Sequence, residues 1–280
     1  MTSAAAVAAA ERWRRRETDT VEVTRLDVPL PCWPAALDGF RALVISDLHI
    51  APDATAPGRR ERRLARLLRE TPCDVALVPG DCANTEAAAS VAVEILSQAR
   101  ARRGTFITLG NGEHKRPEAT PRIVERLRHA GRVLMNDHAR IHIGPEPVWI
   151  LGVDDPGEDR DRLGKAARGV PESQPRILLA HSPEIVTRLH RAAVDLVVCG
   201  HTHGGQVCPP GGGALWTQTP TLERSSLGYG LFGPEDFARY NPVPLDRTRM
   251  FVTRGVGTAK LAIRAFCRPE IALLTLRSAP

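Results

Sequence analysis

The sequence predicts an α/β protein organised as one domain. In its first half, short apolar strands alternate with amphipathic helices, and each strand ends at Gly, Asp or Asn just ahead of a loop. The second half shifts toward short strands and a Gly- and Pro-rich segment. At 280 residues and 42% hydrophobic, the chain can bury a substantial core without dividing into two domains.

Val21 to Val28 alternates as a half-buried strand should, and Pro29, Pro31 and Pro34 then break it, which suits an edge strand. Arg41 to Ser46 is a buried strand ending in Asp47, followed by a helix over Arg59 to Glu70 with Leu64, Leu67 and Leu68 on one face. The unit repeats: Asp74 to Pro79 is a strand, Asn84 caps, and Ala87 to Arg102 is helical. A third round runs from Thr105 to Leu109 and through Arg122 to His129. After Gly131 come strands at Arg132 to Met135, Ala139 to Ile143, Val148 to Val153, Ile177 to Ala180 and Val194 to Cys199. Ile271 to Leu276 closes the fold. Residues 1–35 are expected as a tail and edge strand, and 36–280 as the main domain, with a long flap at 204–250.

The net charge of +6 permits attraction to phosphates, nucleic acid or an anionic surface without choosing among them. Aromatics are only 4% of the chain and do not interleave with basic runs, so stacking platforms for single-stranded nucleic acid are scarce and no specific nucleic-acid partner is expected. Six cysteines without a CxxC pair read as buried free thiols of a reducing compartment. No run approaches the roughly 20 apolar residues of a membrane span. At the N-terminus, Ala4 to Ala10 precedes Arg12, Arg14, Arg15 and Arg16 around Trp13, the reverse of a secretory leader. This reads as a frayed helical tail. An amphipathic helix lying on an anionic membrane surface is the alternative, so the expected location is cytoplasmic, with peripheral membrane contact left open.

The polar residues at the strand ends form a set: Asp47-Leu48-His49, Gly80-Asp81, Gly110-Asn111, His181, and Gly200-His201-Thr202-His203. Alone, Asp-x-His or Gly-Asp is a turn and His181 a core histidine. Together they are a ligand list of imidazole, carboxylate and amide oxygen, too large for one ion and suited to two divalent metals, Mn, Fe or Zn. Asp81 is placed to bridge them. Such a pair clamps phosphoryl oxygens and turns a bridging water into hydroxide near neutral pH, so no serine or cysteine nucleophile is needed.

The runs Ser46 to His49 (SDLH), Pro79 to Asp81 (PGD), Gly110-Asn111, Ala180 to Pro183 (AHSP) and Gly200 to Gln206 (GHTHGGQ) resemble the signature of the calcineurin-like metallophosphoesterase family. Thr253 to Thr258 and Arg268 to Leu276 resemble its bacterial YkuE-like subgroup. Members of that subgroup often carry an N-terminal membrane segment; none is present in this sequence, so membrane location does not carry over. The resemblance implies a four-layer α/β/β/α sandwich and hydrolysis of phosphate mono- or diesters. It also implies Asp47, His49 and His203 on one metal, Asn111, His181 and His201 on the other, and Asp81 between them.

One position departs from the pattern: the family places a histidine directly after the asparagine, and here Gly112 stands there. His114 is the nearest imidazole that could act as general acid instead; slow hydrolysis by the metals alone and a reorganised site are the alternatives. Arg254 is a candidate substrate-phosphate contact through its planar fork, against a structural ion pair. The rival functions are a metal-dependent nuclease and a scaffold that keeps the metals but has lost efficient turnover.

Overall fold

A computed structural model describes residues 9, 11–13, 16–143, 146–223 and 226–279, the Arg191 side chain excepted. Ala4 to Val7, Ala8, Ala10, Arg14 and Arg15 of the basic N-terminal segment lie outside them. Two six-stranded sheets face each other. In the first, β1 (Glu22–Leu30), β12 (Glu270–Ser278), β2 (Phe40–Val44), β3 (Val75–Val78), β4 (Thr105–Ile107) and β5 (Arg132–Val133) lie side by side. The second runs β10 (Gly230–Phe232), β11 (Arg249–Val252), β9 (Leu196–Cys199), β8 (Arg176–Leu179), β7 (Glu146–Gly152), β6 (Asp137–Ile143). Strands β2 to β5 are parallel, as are β7, β8, β9 and β11, while β6 and β10 are antiparallel edges.

Side-chain alternation along each central strand sorts the layers, because successive residues point to opposite faces. Ala42 and Val44, Val75 and Leu77 meet Ile177 and Leu179, Leu196 and Val198 in an inter-sheet core. Leu43, Ala76 and Val78 turn outward to α1 (Arg59–Glu70), α2 (Glu86–Leu96) and, after the short α3 (Asn111–His114), α4 (Thr120–Leu127), and Leu178 and Val197 turn to the helical cover of the second sheet. Strands buried on both faces are apolar throughout, which is why they were visible as continuous runs. The layers are therefore helix, sheet, sheet, helix.

Several details differ from the sequence expectation. Thr85, not Asn84, caps α2: its Oγ1 accepts from Ala88 N at 3.1 Å. The segment from Gly204 to Met250 contains β10 and a short helix, Pro234–Phe237, and leads into β11. A nine-residue 3-10 helix, Pro183–Arg191, covers the second sheet. Five cysteines are buried, but Cys32 is exposed, and all six are free thiols. Among the described residues no helix is long and apolar enough to cross a membrane. The N-terminal helical residues pack on the end of the chain: Glu17 holds Arg268 at 2.8 Å, and Thr18 Oγ1 accepts from Arg264 N at 3.1 Å.

Candidate metal centre

All seven predicted ligands follow strand ends at the same edge of the sandwich, Asp47 and His49 after β2, Asp81 after β3, Asn111 after β4, His181 after β8, His201 and His203 after β9. This is the carboxyl edge of both parallel arrays, where open α/β sheets collect their chemistry. Five of them, Asp47, His49, Asp81, His201 and His203, have φ between 42° and 69°. Non-glycine residues in the left-handed region are held there only by surrounding structure and concentrate at functional sites. Here the holding is done by backbone bonds between loops: Asp47 N donates to Gly80 O at 3.1 Å and His49 N to Asp81 O at 3.1 Å.

The donor atoms converge in two overlapping groups, Asp47, His49 and His203, and Asp47, Asp81 and His181, with the atoms of each group within 4.8 Å of one another. His49 Nε2 lies 3.1 Å from His203 Nε2 and 3.2 Å from Asp81 Oδ2. The other Asp81 oxygen, Oδ1, lies 3.4 Å from His181 Nε2, which is 3.2 Å from Asn111 Oδ1 and 3.1 Å from His201 Nδ1. Asp81 thus presents one oxygen to each imidazole cluster.

Hydrogen bonds behind the rings fix which nitrogen faces inward. His181 Nδ1–H donates to Pro79 O and His201 Nε2–H to Gln218 O, both at 2.8 Å, leaving His181 Nε2 and His201 Nδ1 as bare donors toward the cluster. Rings whose unprotonated nitrogens are aimed at one another and at carboxylates fit cations between them. Behind His203, the buried Arg264 spends its NH2 hydrogens on Arg254 O at 2.7 Å and Gly257 O at 2.6 Å, so its 3.3 Å approach to His203 Nδ1 is packing.

The electrostatics fit the same reading. Burial pushes His49 and His203 below the usual imidazole range, with Asp81 and Asp47 partly opposing this at His49 and His49 and Arg264 reinforcing it at His203. Neutral imidazoles are the form that binds metal. His181 is the exception: burial disfavours its charge, but Asp81, Asp47 and Asp155 outweigh this and raise the imidazole well above its ordinary range. His181 and His49 in turn overcome burial at Asp81 and hold its carboxyl well below its own, so without metal a proton sits where a cation would bind.

Gly112 has a physical reason. Its N–H donates to Asp81 Oδ1 at 2.6 Å, and a Cβ at this position would sit 2.7 Å from that oxygen, so a side chain here would have to push the Asp81 carboxylate aside. Beside it the buried Glu113 accepts four backbone N–H groups, from Gly110 at 2.8 Å, Asp81 at 3.1 Å, Cys82 at 2.7 Å and Ala83 at 3.0 Å. It ties the second ligand loop to the third. Burial and the neighbouring Asp81 push its carboxyl up to about 7, against the pull of those amides.

His114 and Arg254 are not drawn into this cluster. His114 Nε2 bonds Asp154 Oδ1 at 2.7 Å and lines a separate cavity with Pro121, Val124 and Met135. Arg254 pairs with Glu270 at 2.7 Å and lies over the Tyr229 ring at 5.8 Å. Sequence reasoning missed Lys115 and Asn84. They share a cavity of about 180 Å³ with His49, Asp81 and Gly112, and the buried Asn84 Oδ1 has no hydrogen-bond partner. Lys115 had one available signal, being among only three lysines in the chain and standing four residues after Asn111.

Over 92% of its length the chain is 28% identical to a transmembrane protein with metallophosphoesterase domain from Danio rerio, and it spans 58% of that protein. The bovine counterpart is likewise covered over 57% of its length, so the chain spans little more than half of these relatives. Phosphodiesterase YaeI of Escherichia coli is 27% identical over 85% of this chain and 82% of its own. The uncharacterized metallophosphoesterase YkuE of Bacillus subtilis is 24% identical over 95% and 88%. The calcineurin-like phosphoesterase family model matches residues 40–205, from β2 to just past His203, and since that is more than half of the chain, the protein belongs to this family.

Proposed function

We propose that the protein is a binuclear-metal phosphoesterase hydrolysing phosphate mono- or diesters at the seam between its sheets. One observation carries the reading: carboxylates of the first sheet and inward-facing imidazoles of both sheets meet within 4.8 Å. Asp47, His49 and His203 would hold one divalent ion, Asn111, His181 and His201 a second, with Asp81 shared. A donor set of imidazole, carboxylate and amide oxygen suits Mn, Fe or Zn. Two such ions supply charge neutralisation at the phosphoryl group and a nucleophile drawn from water at neutral pH.

The chain's own contribution is to seat the ester. Lys115 and Asn84 line the same small cavity as Asp81 and His49, and the buried Asn84 Oδ1 has no hydrogen-bond partner there. The Lys115 ammonium is assigned to a phosphoryl oxygen, the contact the sequence offered to Arg254. The name of the phosphodiesterase relative favours a diester over a monoester. Gly205 and the stretch from Trp216 to Leu222 wall the cavities beside His201 and His203, consistent with a substrate-side role for the first half of the 204–250 segment.

The test is a panel of aryl monoesters, aryl diesters, a pyrophosphate and single-stranded DNA on metal-reconstituted protein. A diester should turn over, Asp81→Ala should lower kcat by at least about 10²-fold, and Lys115→Ala should raise KM about tenfold, the effect of roughly one charge-assisted hydrogen bond, with metal content unchanged. No turnover with Mn, Fe or Zn would leave a metal-holding scaffold, and an unchanged KM would remove Lys115 from the site.

A further inference from the structure

Seven large hydrophobic side chains are exposed among the described residues, and five of them, Val207, Leu215, Trp216, Leu261 and Phe266, come from two stretches beside the metal centre. A sixth, Trp13, meets the Phe266 ring edge-on at 6.0 Å. Single exposed apolar residues are ordinary; a contiguous group is a binding surface. Frayed loops do not account for it. Gln206 Nε2 donates to Leu261 O at 2.9 Å and Ile263 O at 3.1 Å, and its Oε1 accepts from Ala259 N at 2.6 Å. Cys208 N donates to Ala265 O and Ala265 N to Gln206 O, both at 2.9 Å. The fold holds these side chains outward by hydrogen bonds from the residue that ends the GHTHGGQ run.

The surface also leads somewhere. A cavity of about 350 Å³ runs from His203 and Thr202 past Gln206 and Trp216 to Val207, Leu215 and Leu261. A second, of about 460 Å³, starts at His201 and shares Trp216, Gln218 and Lys260 with the first. Lys260 lines both cavities, its Nζ 5.4 Å from the Trp216 ring centroid, so a cation stands at the apolar rim of each. A molecule whose phosphoester lies on the metal cluster has this groove as its continuation: an apolar trough with Lys260 on its wall, opening to an apolar rim.

We propose that the substrate is an amphiphile, a phosphoester whose leaving or retained group carries an alkyl or acyl chain, and that the chain lies in the trough bounded by Val207, Leu215, Trp216 and Leu261. This rests on the phosphoesterase reading above and names its substrate class. A chain of eight carbons placed there would bury several methylenes, each strengthening binding about fourfold. The preference appears in KM and in binding, because the chain contacts no reacting atom.

The experiment compares methyl and octyl p-nitrophenyl phosphate with metal-reconstituted full-length protein, and in parallel measures binding of methylphosphonate and octylphosphonate by titration calorimetry. The octyl ester should have a kcat/KM at least tenfold higher, and octylphosphonate should bind at least tenfold tighter. Leu215→Glu combined with Leu261→Glu should erase both preferences while leaving the methyl ester within about twofold of wild type. Equal binding of the two phosphonates, or a variant that lowers both esters alike, overturns the proposal. So does a dimer in light scattering that the double variant dissociates without any chain-length preference, since the rim would then be an interface between copies. If neither ester is hydrolysed, the phosphoesterase reading fails, while the phosphonate titrations still decide whether the trough takes an alkyl chain.

Discussion

The two sheets bring different chemistry to one seam. The first contributes oxygen donors, Asp47, Asp81 and Asn111, with a single imidazole, His49; the second contributes imidazoles alone, His181, His201 and His203. The first-sheet carboxylates supply the negative charge a cation needs, and the second-sheet rings supply strong neutral donors, so neither sheet alone makes the proposed site. The seam is also stitched directly. His201 N donates to Asp47 Oδ1 at 3.1 Å, His181 Nδ1–H to Pro79 O at 2.8 Å, and Gly257 N to Asp47 O at 2.6 Å. Ligand geometry therefore depends on how the inter-sheet core packs.

The sharpest way to break this comparison is to remove Asp81, which presents one oxygen to each imidazole cluster. Asp81→Ala should lower kcat on an aryl diester on the order of 10²–10⁴-fold, the several kcal/mol expected from losing charge stabilisation at a two-metal site. Metal content per chain should fall from two ions to one or fewer. His201→Ala removes a single neutral donor of the second sheet and should cost less on both measures. Equal losses would mean that the two sheets are not distinct in role.

A second test moves away from the ligands. Ile150, in β7, is fully buried between the sheets, and Leu127, in α4, is fully buried on the outer face of the first. Truncation of either to Ala should cost about 2–5 kcal/mol in denaturant unfolding. At temperatures where both variants are folded, only Ile150→Ala should also weaken metal binding, because only that cavity lets the sheets shift against each other. Matched metal affinities would show that the site tolerates slippage of the sheets.

The sequence made the ligands and the central strands legible for the same reason. Strands buried on both faces read as unbroken apolar runs, and a polar residue ending such a run stands out, as Asp47, Asp81, His181 and His201 do. What escaped depends on distant partners. Glu113 gives no local sign that its carboxylate accepts amides from residues 81 to 83, thirty positions earlier. Arg264 looks like one more surface arginine, yet it is fully buried and spends its donors on the carbonyls around His203. The Pro183–Arg191 helix has 3-10 geometry, which a 3.6-residue period does not detect. The apolar rim at Val207, Leu215 and Leu261 becomes a surface only when two stretches some fifty residues apart are pinned together by Gln206.

The smallest expected effect concerns His114, whose partner also lies across the seam: His114 follows β4 of the first sheet, and Asp154 follows β7 of the second. The hydrogen bond that His114 Nε2–H donates to Asp154 raises the His114 pKa above its ordinary value, against the opposing effect of burial. A histidine whose folded-state pKa exceeds its unfolded one contributes stability that is fully present below the unfolded value, about 6.5, and fades as pH rises through the folded value. His114→Gln should therefore lose about 1.5–3 kcal/mol near pH 6, the worth of a hydrogen bond between charged groups, and less at pH 9. Denaturant unfolding of metal-free protein at the two pH values measures this without interference from metal release. A deficit that grows with pH would show that the pair is not a charged clasp. The same variant should keep its kcat on an aryl diester; a collapse of kcat with unchanged stability would return His114 to the chemistry and detach it from the seam.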